Sequence, residues 1–403
     1  MEANYTVSIV DKKKNRLKRG ILKEMYRLGP LTLAQLAKAL HASVPSVTML
    51  IDELASENWV QEIGTGTAQY GRKPALFGLR SGNQAIVVVD ISIHDIKLVV
   101  FDLTNRVLDR LDVNLRLEDS VAFLETLQGP LDEVAQRIQE RQLNIIGVGC
   151  ALPGLVDPRT GTNYTYKNLN RPELSLQQQL AACFDAPVYL INDTKATILG
   201  EHRFGLAKGK NHVLSINIDW GVGLGVIHNG DIVQGAAGFA GELGHIQLQA
   251  DGELCSCGKV GCLDTLTSAS SLVRRVKAGL REGRVSKLAE ENFENIDVEM
   301  VIEKAKAGDE LAIDLLNEVG SELGKGLSIA VHLFNPELII VNGVVAKAER
   351  LITRPIEQAI DKYCLADFRN KLIITVSRLG EMAKLYGTQA YVVQCLLEHE
   401  EIP

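Results

Sequence analysis

The chain of 403 residues changes its pattern of apolar residues near position 83, and this change limits the folds open to it. From Ala85 onward, apolar runs of strand length alternate with longer segments of helical periodicity. This alternation predicts an α/β architecture, in which helices cover the faces of largely buried sheets. Before position 83, short helical segments precede two strand-like runs. We therefore predict two domains, at residues 1–82 and 83–403.

Apolar periodicity places regular elements along the larger domain. The predicted strands are 85–91, 96–102, 143–151, 188–191, 213–218 and 338–341, and the predicted helices are 123–139, 175–184, 194–204, 311–334 and 382–399. No segment approaches the roughly 18 uninterrupted apolar residues that a membrane span needs, and the basic N-terminus lacks the apolar run of a secretory signal. We expect a cytoplasmic protein that does not insert into membranes.

The first 82 residues predict a winged helix-turn-helix. The predicted helices are 14–28, 32–40 and 43–55, and the predicted strands are 59–63 and 75–79. Pro30 ends the first helix, Thr32 and Gln35 form a capping-box pattern at the second, and Ser43 is a good N-cap for the third. A glycine-rich tip between the two strands completes the wing, and the third helix is the candidate recognition helix.

Charge favours DNA as the partner of this domain. Residues 1–82 carry twelve Lys and Arg against seven Asp and Glu, a net charge of +5. Since the whole chain has a net charge of −7, the remaining residues have a net charge of −12. The candidate DNA-binding residues are Ser43, Ser46, Thr48 and Met49 on the third helix, and Arg72 and Lys73 on the wing. The helix residues are equally compatible with ordinary capping and surface roles. For the wing, its place directly after a helix-turn-helix favours DNA contact over a merely solvated loop.

Three of the seven cysteines fall within eight positions, which indicates a metal site. Cys255 and Cys257 are separated by one residue, Cys262 follows after four more, and glycines between them allow a tight fold. A tetrahedral zinc ion needs a fourth ligand, and His245 is the nearest candidate. With all four positions filled by protein, the predicted zinc is structural. We interpret the remaining four cysteines as small apolar side chains in the core.

Five short runs, in order along the chain, resemble the ROK family of bacterial sugar kinases and sugar-responsive repressors. They are Leu152–Asp157, Asn192-Asp193, Gly241–His245, Cys255–Asp264 and Leu333–Glu337. The resemblance implies an α/β body with a duplicated, actin/hexokinase-like (ribonuclease H-like) two-lobed architecture. Together with the preceding α+β winged helix-turn-helix domain, the whole chain resembles the NagC, Mlc and XylR type of repressor.

The resemblance also implies a sugar site and the same zinc ligands, His245, Cys255, Cys257 and Cys262. The sugar-binding residues that it implies are Gly154, Asn192, Asp193, Glu242, His245 and Asp264. Kinases of the family usually have Glu in place of Asp264, so the sugar preference or affinity is expected to differ. Asn192-Asp193 also fits a helix N-cap, and both roles are compatible.

Three segments that bind the nucleotide in the family's kinases are altered here. The first turn, Asp90–Asp95, has no glycine, the second, Asp219–Gly225, has Val222 where a hydroxyl is expected, and the third is reduced to Asn342–Val344. Asp193, the catalytic base in kinases, is then vestigial and no residue is catalytic. Glycines in the second segment are equally compatible with close packing of a strand on a helix.

We therefore predict a repressor of sugar-metabolism genes, not an enzyme, in which a sugar or sugar phosphate bound between the lobes alters binding to a double-stranded operator. Paired half-sites imply a homodimer or homotetramer. One alternative is an active ROK kinase that phosphorylates a hexose or N-acetylhexosamine and carries an accessory N-terminal domain. Another is a repressor controlled by a regulatory protein partner, with a vestigial sugar pocket.

Overall fold

The computed structural model describes residues 9–66, 73–171 and 174–398. The chain forms two compact units, one made of Met1–Cys150, Tyr166–Leu190 and Gln389–Pro403, and the other of Ala151–Thr165 and Ile191–Thr388. This division groups the N-terminal domain with the first half of the body, so the predicted boundary after residue 82 stays a prediction. Within the described ranges, no helix combines the length and apolar character needed to cross a bilayer.

The regular elements are numbered in chain order. The helices are α1 (Ile9–Leu28), α2 (Leu33–Ala39), α3 (Val44–Ser56), α4 (Val121–Glu140), α5 (Leu176–Phe184), α6 (Asp193–Phe204), α7 (Leu263–Thr267), α8 (Ala269–Arg281), α9 (Val298–Lys306), α10 (Glu310–Phe334), α11 (Arg350–Tyr363), α12 (Ala366–Arg369) and α13 (Met382–Glu398). The strands are β1 (Leu31–Thr32), β2 (Val60–Thr65), β3 (Ala75–Leu79), β4 (Gln84–Ile91), β5 (Ile96–Asp102), β6 (Val107–Val113), β7 (Asn144–Leu152), β8 (Val156–Asp157), β9 (Thr162–Asn163), β10 (Asn170–Arg171), β11 (Leu174–Ser175), β12 (Val188–Asn192), β13 (His212–Ile218), β14 (Val222–His228), β15 (Asp231–Ile232), β16 (Leu338–Asn342) and β17 (Ile373–Val376).

The N-terminal elements form a winged helix-turn-helix, as predicted. Helices α1, α2 and α3 pack beside a three-stranded antiparallel sheet in the order β1-β3-β2. The predicted capping box at α2 is present, because the Thr32 hydroxyl accepts from the Gln35 backbone while the Gln35 side chain accepts from the Thr32 backbone. The tip of the wing, including Arg72, lies outside the described residues.

The two units contain equivalent five-stranded sheets. In the first, the order is β12-β7-β4-β5-β6, and in the second the matching order is β17-β16-β13-β14-β15. In each sheet a hairpin supplies adjacent antiparallel strands, β4 with β5 and β13 with β14. In the second unit β16 and β17 then extend the sheet in parallel with β13. This repetition is the duplicated actin/hexokinase-like α/β body that the sequence predicted.

Glycines let strand β14 pack closely on helix α6. A Cβ at Gly223 would lie 2.3 Å from the Thr194 side chain, and one at Gly225 would lie 2.6 Å from the Ile198 side chain. Both distances are too short for any real Cβ. These glycines therefore serve the close packing of a strand on a helix, which was one of the two interpretations of the sequence. This packing fixes the start of α6 against the sheet of the second unit.

Helices α6 and α13 approach each other through a pair of glycines. A Cβ at Gly200 would lie 1.8 Å from the Ala383 carbonyl oxygen, and one at Gly387 would lie 1.7 Å from the Ala196 carbonyl oxygen. Because the obstructing atoms belong to the backbone, no side-chain rotation can make room. The position of α6, and with it Asp193, depends on this contact.

Gly387→Ala is expected to lower the thermal unfolding midpoint by about 5 °C, since overpacking of this kind costs about 2 kcal/mol. The matched control is Gly129→Ala inside α4, where no atom other than those of its two chain neighbours lies within 4 Å of an added Cβ. That variant should stay close to the wild-type midpoint, because the helix propensity gained with alanine is opposed by the crowding of its Cβ against the ring of Pro130. Differential scanning calorimetry of both variants measures the difference. Equal midpoints for the two would contradict the proposed contact.

Candidate DNA-binding surface, ligand site and metal centre

Helix α3 begins as its sequence predicts. The Ser43 hydroxyl accepts a hydrogen bond from the Ser46 backbone N–H at 3.3 Å, and Pro45 occupies the first turn, where its missing N–H costs nothing. One side of the helix packs into the domain through Val47, Leu50, Ile51 and Leu54, all at most 2% exposed. The opposite side of α3 therefore faces outward.

Ion pairs tie α3 to α1. The Lys18 ammonium lies 3.2 Å from Glu53 and 2.7 Å from Glu57, while Lys14 lies 2.8 Å from Glu53. Lys18 is 5% exposed, so its charge is paired within the domain and is not accessible to a partner. The hydrogen bond from Lys14 is the main cause that holds the pKa of Glu53 below its usual value. These contacts fix the angle at which α3 is presented.

The predicted DNA-binding residues of α3 differ in what they expose. The hydroxyls of Ser43 and Ser46 bond each other at 2.8 Å, and the Thr48 hydroxyl donates to the Val44 carbonyl at 2.9 Å. Met49 is 52% exposed. Lys73, on the wing, is also exposed. Asp52, which no sequence pattern singled out, lies on the same outward side as Met49.

Asn192 joins two of the predicted sugar-binding segments. Its side-chain oxygen caps α6 by accepting from the N–H groups of Thr194 and Lys195, at 3.0 and 3.1 Å. Its side-chain N–H donates to the Gly154 carbonyl at 3.0 Å. Gly154 has φ +92°, and a Cβ there would lie 2.7 Å from Thr165, so only glycine fits. The N-cap interpretation of Asn192 is therefore correct, and the cap also positions the Gly154 turn.

Four ionisable side chains gather around the start of α6. Lys195 is 4% exposed and donates to the Gly238 carbonyl, which ties the loop before Glu242 to the helix. Burial raises the pKa of Glu242, while the nearby charges of His245 and Lys195 lower it and that of Asp193 raises it. His245 Nε2 lies 4.0 Å from Glu242 Oε2. The structure thus brings Asp193, Glu242 and His245 close together.

Asp264 makes a contact with a residue that is distant in the sequence. Its Oδ1 accepts a hydrogen bond from the Val222 backbone N–H at 2.7 Å. The same oxygen lies 3.3 Å from the place of a Cβ on Gly221. Burial raises the pKa of Asp264, and the bond from Val222 partly offsets this. The carboxylate is therefore engaged with the turn that follows β13.

Asp219 holds the neighbouring turn in the same way. Its Oδ1 accepts from the Val344 backbone N–H at 2.7 Å, and its Oδ2 accepts from the Asn217 side chain at 3.0 Å. Gly343, with φ +87°, turns the Val344 N–H toward it. Two segments that bind nucleotide in ROK kinases thus have a backbone N–H bonded to a carboxylate of the chain itself.

His245, Cys255, Cys257 and Cys262 converge as predicted, with one ligand atom from each lying within 4.8 Å of the others. The Sγ atoms of Cys257 and Cys262 are 3.7 Å apart, and Cys255 Sγ is 3.7 Å from His245 Nδ1. Two thiolates at about 2.3 Å from one zinc ion lie about 3.8 Å apart in a tetrahedron. The four residues therefore fit a single tetrahedral metal ion.

A tight turn places the three cysteines. The Cys255 N–H donates to the Lys259 carbonyl at 2.7 Å, and the Gly258 N–H donates to the Cys255 carbonyl at 2.9 Å. Gly261 has φ +72°, and a Cβ there would lie 1.6 Å from the Gln249 carbonyl oxygen. Since His245 presents Nδ1 to the cysteines and Nε2 to Glu242, a bound metal would also orient the Glu242 segment.

The model of the family described as ROK matches residues 86–394 of this chain, and that of the MarR family matches residues 19–62. The second match spans most of the helix-turn-helix. The first covers nearly all of both five-stranded sheets and all the residues of the candidate ligand and metal sites. The chain belongs to the ROK family.

Curated relatives match almost the whole chain. The putative xylose repressor of Caldicellulosiruptor sp. (strain Rt8B.4) is 27% identical over 379 residues, covering 94% of this chain and 95% of the relative. The DNA-binding transcriptional dual regulator NagC of Escherichia coli (strain K12) is 28% identical over 377 residues, covering 93% and 92%. These relatives are repressors or regulators, and the similarity includes the winged helix-turn-helix.

Two solved structures differ in how much of this chain they resemble. A ROK family transcriptional regulator, a homolog of the E. coli MLC protein, has a TM-score of 0.82 at 27% identity and covers 97% of this chain and 98% of its own. A ROK family glucokinase from Streptomyces griseus, in complex with glucose and AMPPNP, has a TM-score of 0.65 at 27% identity and covers 77% and 99%. The regulator is thus similar along the full length, and the kinase along the body.

Proposed function

We propose that this protein is a DNA-binding transcriptional repressor of sugar-metabolism genes, controlled by a sugar or sugar phosphate bound to its ROK body. The observation that carries the proposal is the difference in coverage. The transcriptional regulator spans 97% of the chain, whereas the glucokinase leaves out almost a quarter of it. A winged helix-turn-helix has no part in phosphoryl transfer, so its presence favours a regulator. The proposed place of action is the cytoplasm.

The engaged turns favour a body without kinase activity. A kinase uses free backbone N–H groups to hold phosphates. Here the N–H of Val222 is bonded to Asp264 and that of Val344 to Asp219. A nucleotide phosphate would have to displace a carboxylate from each turn. Asp193 is accordingly proposed as a ligand of the sugar and not as a catalytic base.

The proposed ligand site consists of Gly154, Asn192, Asp193, Glu242 and His245. Carboxylates and amides there supply the acceptors and donors that sugar hydroxyls need. Asp264 is also proposed as a sugar-binding residue, because the bond from Val222 engages only its Oδ1. Structural zinc is proposed at His245 and the three cysteines, because the fit is tetrahedral and leaves no open position.

DNA binding is proposed to involve the outward side of α3 together with Arg72 and Lys73 of the wing, with the domain boundary after residue 82. A homodimer or homotetramer is proposed because helix-turn-helix proteins usually contact paired half-sites about one helical turn apart. Ligand binding would alter DNA affinity only by its different affinity for the two arrangements of the assembly. The direction of that change is left to the experiment.

The test is binding of the full chain to fluorescent duplexes selected from a random pool. Sequence-specific binding is expected, with a change of about fivefold or more when the right ligand is added. Xylose and N-acetylglucosamine, which appear in the names of relatives, and their phosphates are the first ligands to add. If the chain ignored duplex DNA of every sequence at low ionic strength, the proposal would be wrong.

Lys73→Ala is expected to weaken binding about equally for all duplexes and to reduce the slope of log affinity against log salt by about one. The reason is that a lysine on the wing would contact phosphate, which carries no sequence information. Lys208→Ala, exposed on the ROK body, is the matched control and should change neither quantity. An unchanged slope for Lys73→Ala would remove this residue from the interface.

Measurement of ATP turnover distinguishes the proposed repressor from the alternative, an active sugar kinase. The chain is incubated with ATP, Mg²⁺ and a panel of hexoses and N-acetylhexosamines, and ADP release is followed. No sugar-dependent release is expected. Release that depends on the sugar would make the protein a kinase, whatever its binding to DNA.

A further inference from the structure

The outward side of α3 has a short central stripe of side chains. Pro45, Met49, Asp52 and Ser56 follow one another at spacings of four, three and four residues, so they line one face of the helix. Together with Thr48 and Glu53 they border a shallow groove on the surface. The buried side chains of α3 lie on the opposite face.

Hydroxyl groups on this side are already engaged within the helix. The Thr48 hydroxyl donates to the Val44 carbonyl at 2.9 Å, and the Ser56 hydroxyl donates to the Glu53 carbonyl at 2.7 Å. Ser43 and Ser46 bond each other, as described above. The two apolar members of the stripe, Pro45 and Met49, are both exposed. Apolar surface and a carboxylate are thus what the centre of the stripe offers to a partner.

Asp52 differs from the other acidic residues of this surface. Glu53 and Glu57 are paired with lysines of α1. The carboxylate of Asp52 makes no hydrogen bond or ion pair within the described part of the chain. An unpaired carboxylate is repelled by phosphates, so beside DNA it is favoured where a base offers a hydrogen-bond donor. In the major groove cytosine N4 and adenine N6 are such donors, and cytosine fits a carboxylate better because adenine also presents the N7 acceptor.

We propose that this stripe recognises a thymine and a cytosine in the major groove: Pro45 and Met49 contact the thymine C5-methyl group, and Asp52 accepts from the cytosine N4 amino group. The net charge of +5 on residues 1–82 supports a polyanion as the partner. Three residues of helix rise about 4.5 Å, and bases are stacked about 3.4 Å apart, so the two bases lie within a step or two. This inference rests on the proposed function and adds the chemistry of recognition.

Removing the thymine methyl group tests the first contact. The full chain selects its preferred duplex from a randomised library, and each thymine of that duplex is then replaced singly by deoxyuridine. At one thymine per half-site we expect wild-type affinity to fall by about fivefold or more. Met49→Ala should lose less affinity on that replacement than the wild type does, because only Pro45 then contacts the methyl group. Met49 is half exposed, so its truncation leaves the fold intact. Equal methyl sensitivity in both proteins would overturn the proposal.

Asp52→Asn tests the second contact, because asparagine keeps the size of the side chain and pairs with adenine instead. The library selected by this variant should change from cytosine to adenine at one position per half-site, with about tenfold loss on the wild-type duplex. A merely structural role would not change the preferred base. Asp251→Asn, at an exposed site on the ROK body, is the control and should select the wild-type sequence. An unchanged preference in Asp52→Asn would overturn the assignment.

The two levels of failure can be told apart. If the wild-type chain selects no duplex at all, the proposed function itself fails. If it selects a duplex but either variant leaves the recognition described unchanged, only this inference fails.

Discussion

Cys257→Ser is expected to lose the bound metal and to lower the thermal unfolding midpoint of the second unit by about 10 °C or more. Serine is a poor ligand for zinc, and three remaining ligands hold the ion much more weakly. Binding energy at such a site is folding energy, because the cluster is not preformed in the unfolded chain. Elemental analysis should fall from about one metal ion per chain to nearly none, and calorimetry measures the midpoint.

The control for this variant is Cys364→Ser, a half-buried cysteine outside the cluster. It should keep its metal and most of its stability. A Cys257→Ser chain that is metal-free yet as stable as the wild type would contradict a structural metal centre. Wild-type protein that contains no metal after expression in zinc-supplemented medium would do the same.

Glu242→Gln is expected to weaken ligand binding by about 100-fold while leaving DNA binding without ligand unchanged. Hydrogen bonds from sugar hydroxyls to a carboxylate contribute about 1.5–3 kcal/mol each, and a neutral amide replaces only part of this. Calorimetric titration with the best compound from a thermal-shift screen of sugars and sugar phosphates measures the loss. The thermal-shift screen also identifies which compound is the effector.

Glu318→Gln, on the exposed surface of α10, serves as the comparison. It exchanges the same groups far from the proposed ligand residues in sequence, and it should bind ligand like the wild type. Should Glu242→Gln bind as tightly as Glu318→Gln, the ligand would have to be bound elsewhere. The fold and the family of the ROK body would be unaffected, but the proposed assignment of its ligand-binding residues would be wrong.

Much of the architecture could be predicted because it depends on local patterns. Strand β5 has the predicted bounds, residues 96–102, since its apolar run is bordered by turns. The caps at Thr32 and Ser43 follow from short side chains that accept from nearby N–H groups. The metal cluster was also predictable, because three of its ligands lie within one tight turn.

Other features depend on contacts that no local pattern contains. Strand β6 lies at the edge of its sheet with only exposed and half-buried residues, and the charged residues between its valines and leucines left no continuous apolar run to mark it. Strand β14 was concealed by its glycines. The bond from Val222 to Asp264 joins residues 42 positions apart. Likewise, the burial of Lys195 follows from the distant Gly238 segment and not from its own neighbours.

The bonds that Asp219 and Asp264 make also bear on protein engineering. A designer who wished to give this scaffold phosphotransferase activity would be tempted to begin by replacing Val222 with threonine. That exchange adds a hydroxyl but leaves the amide hydrogen of the same residue committed to Asp264. A route toward an enzyme would first have to free both amides, so single substitutions in the loops are expected to yield inactive proteins.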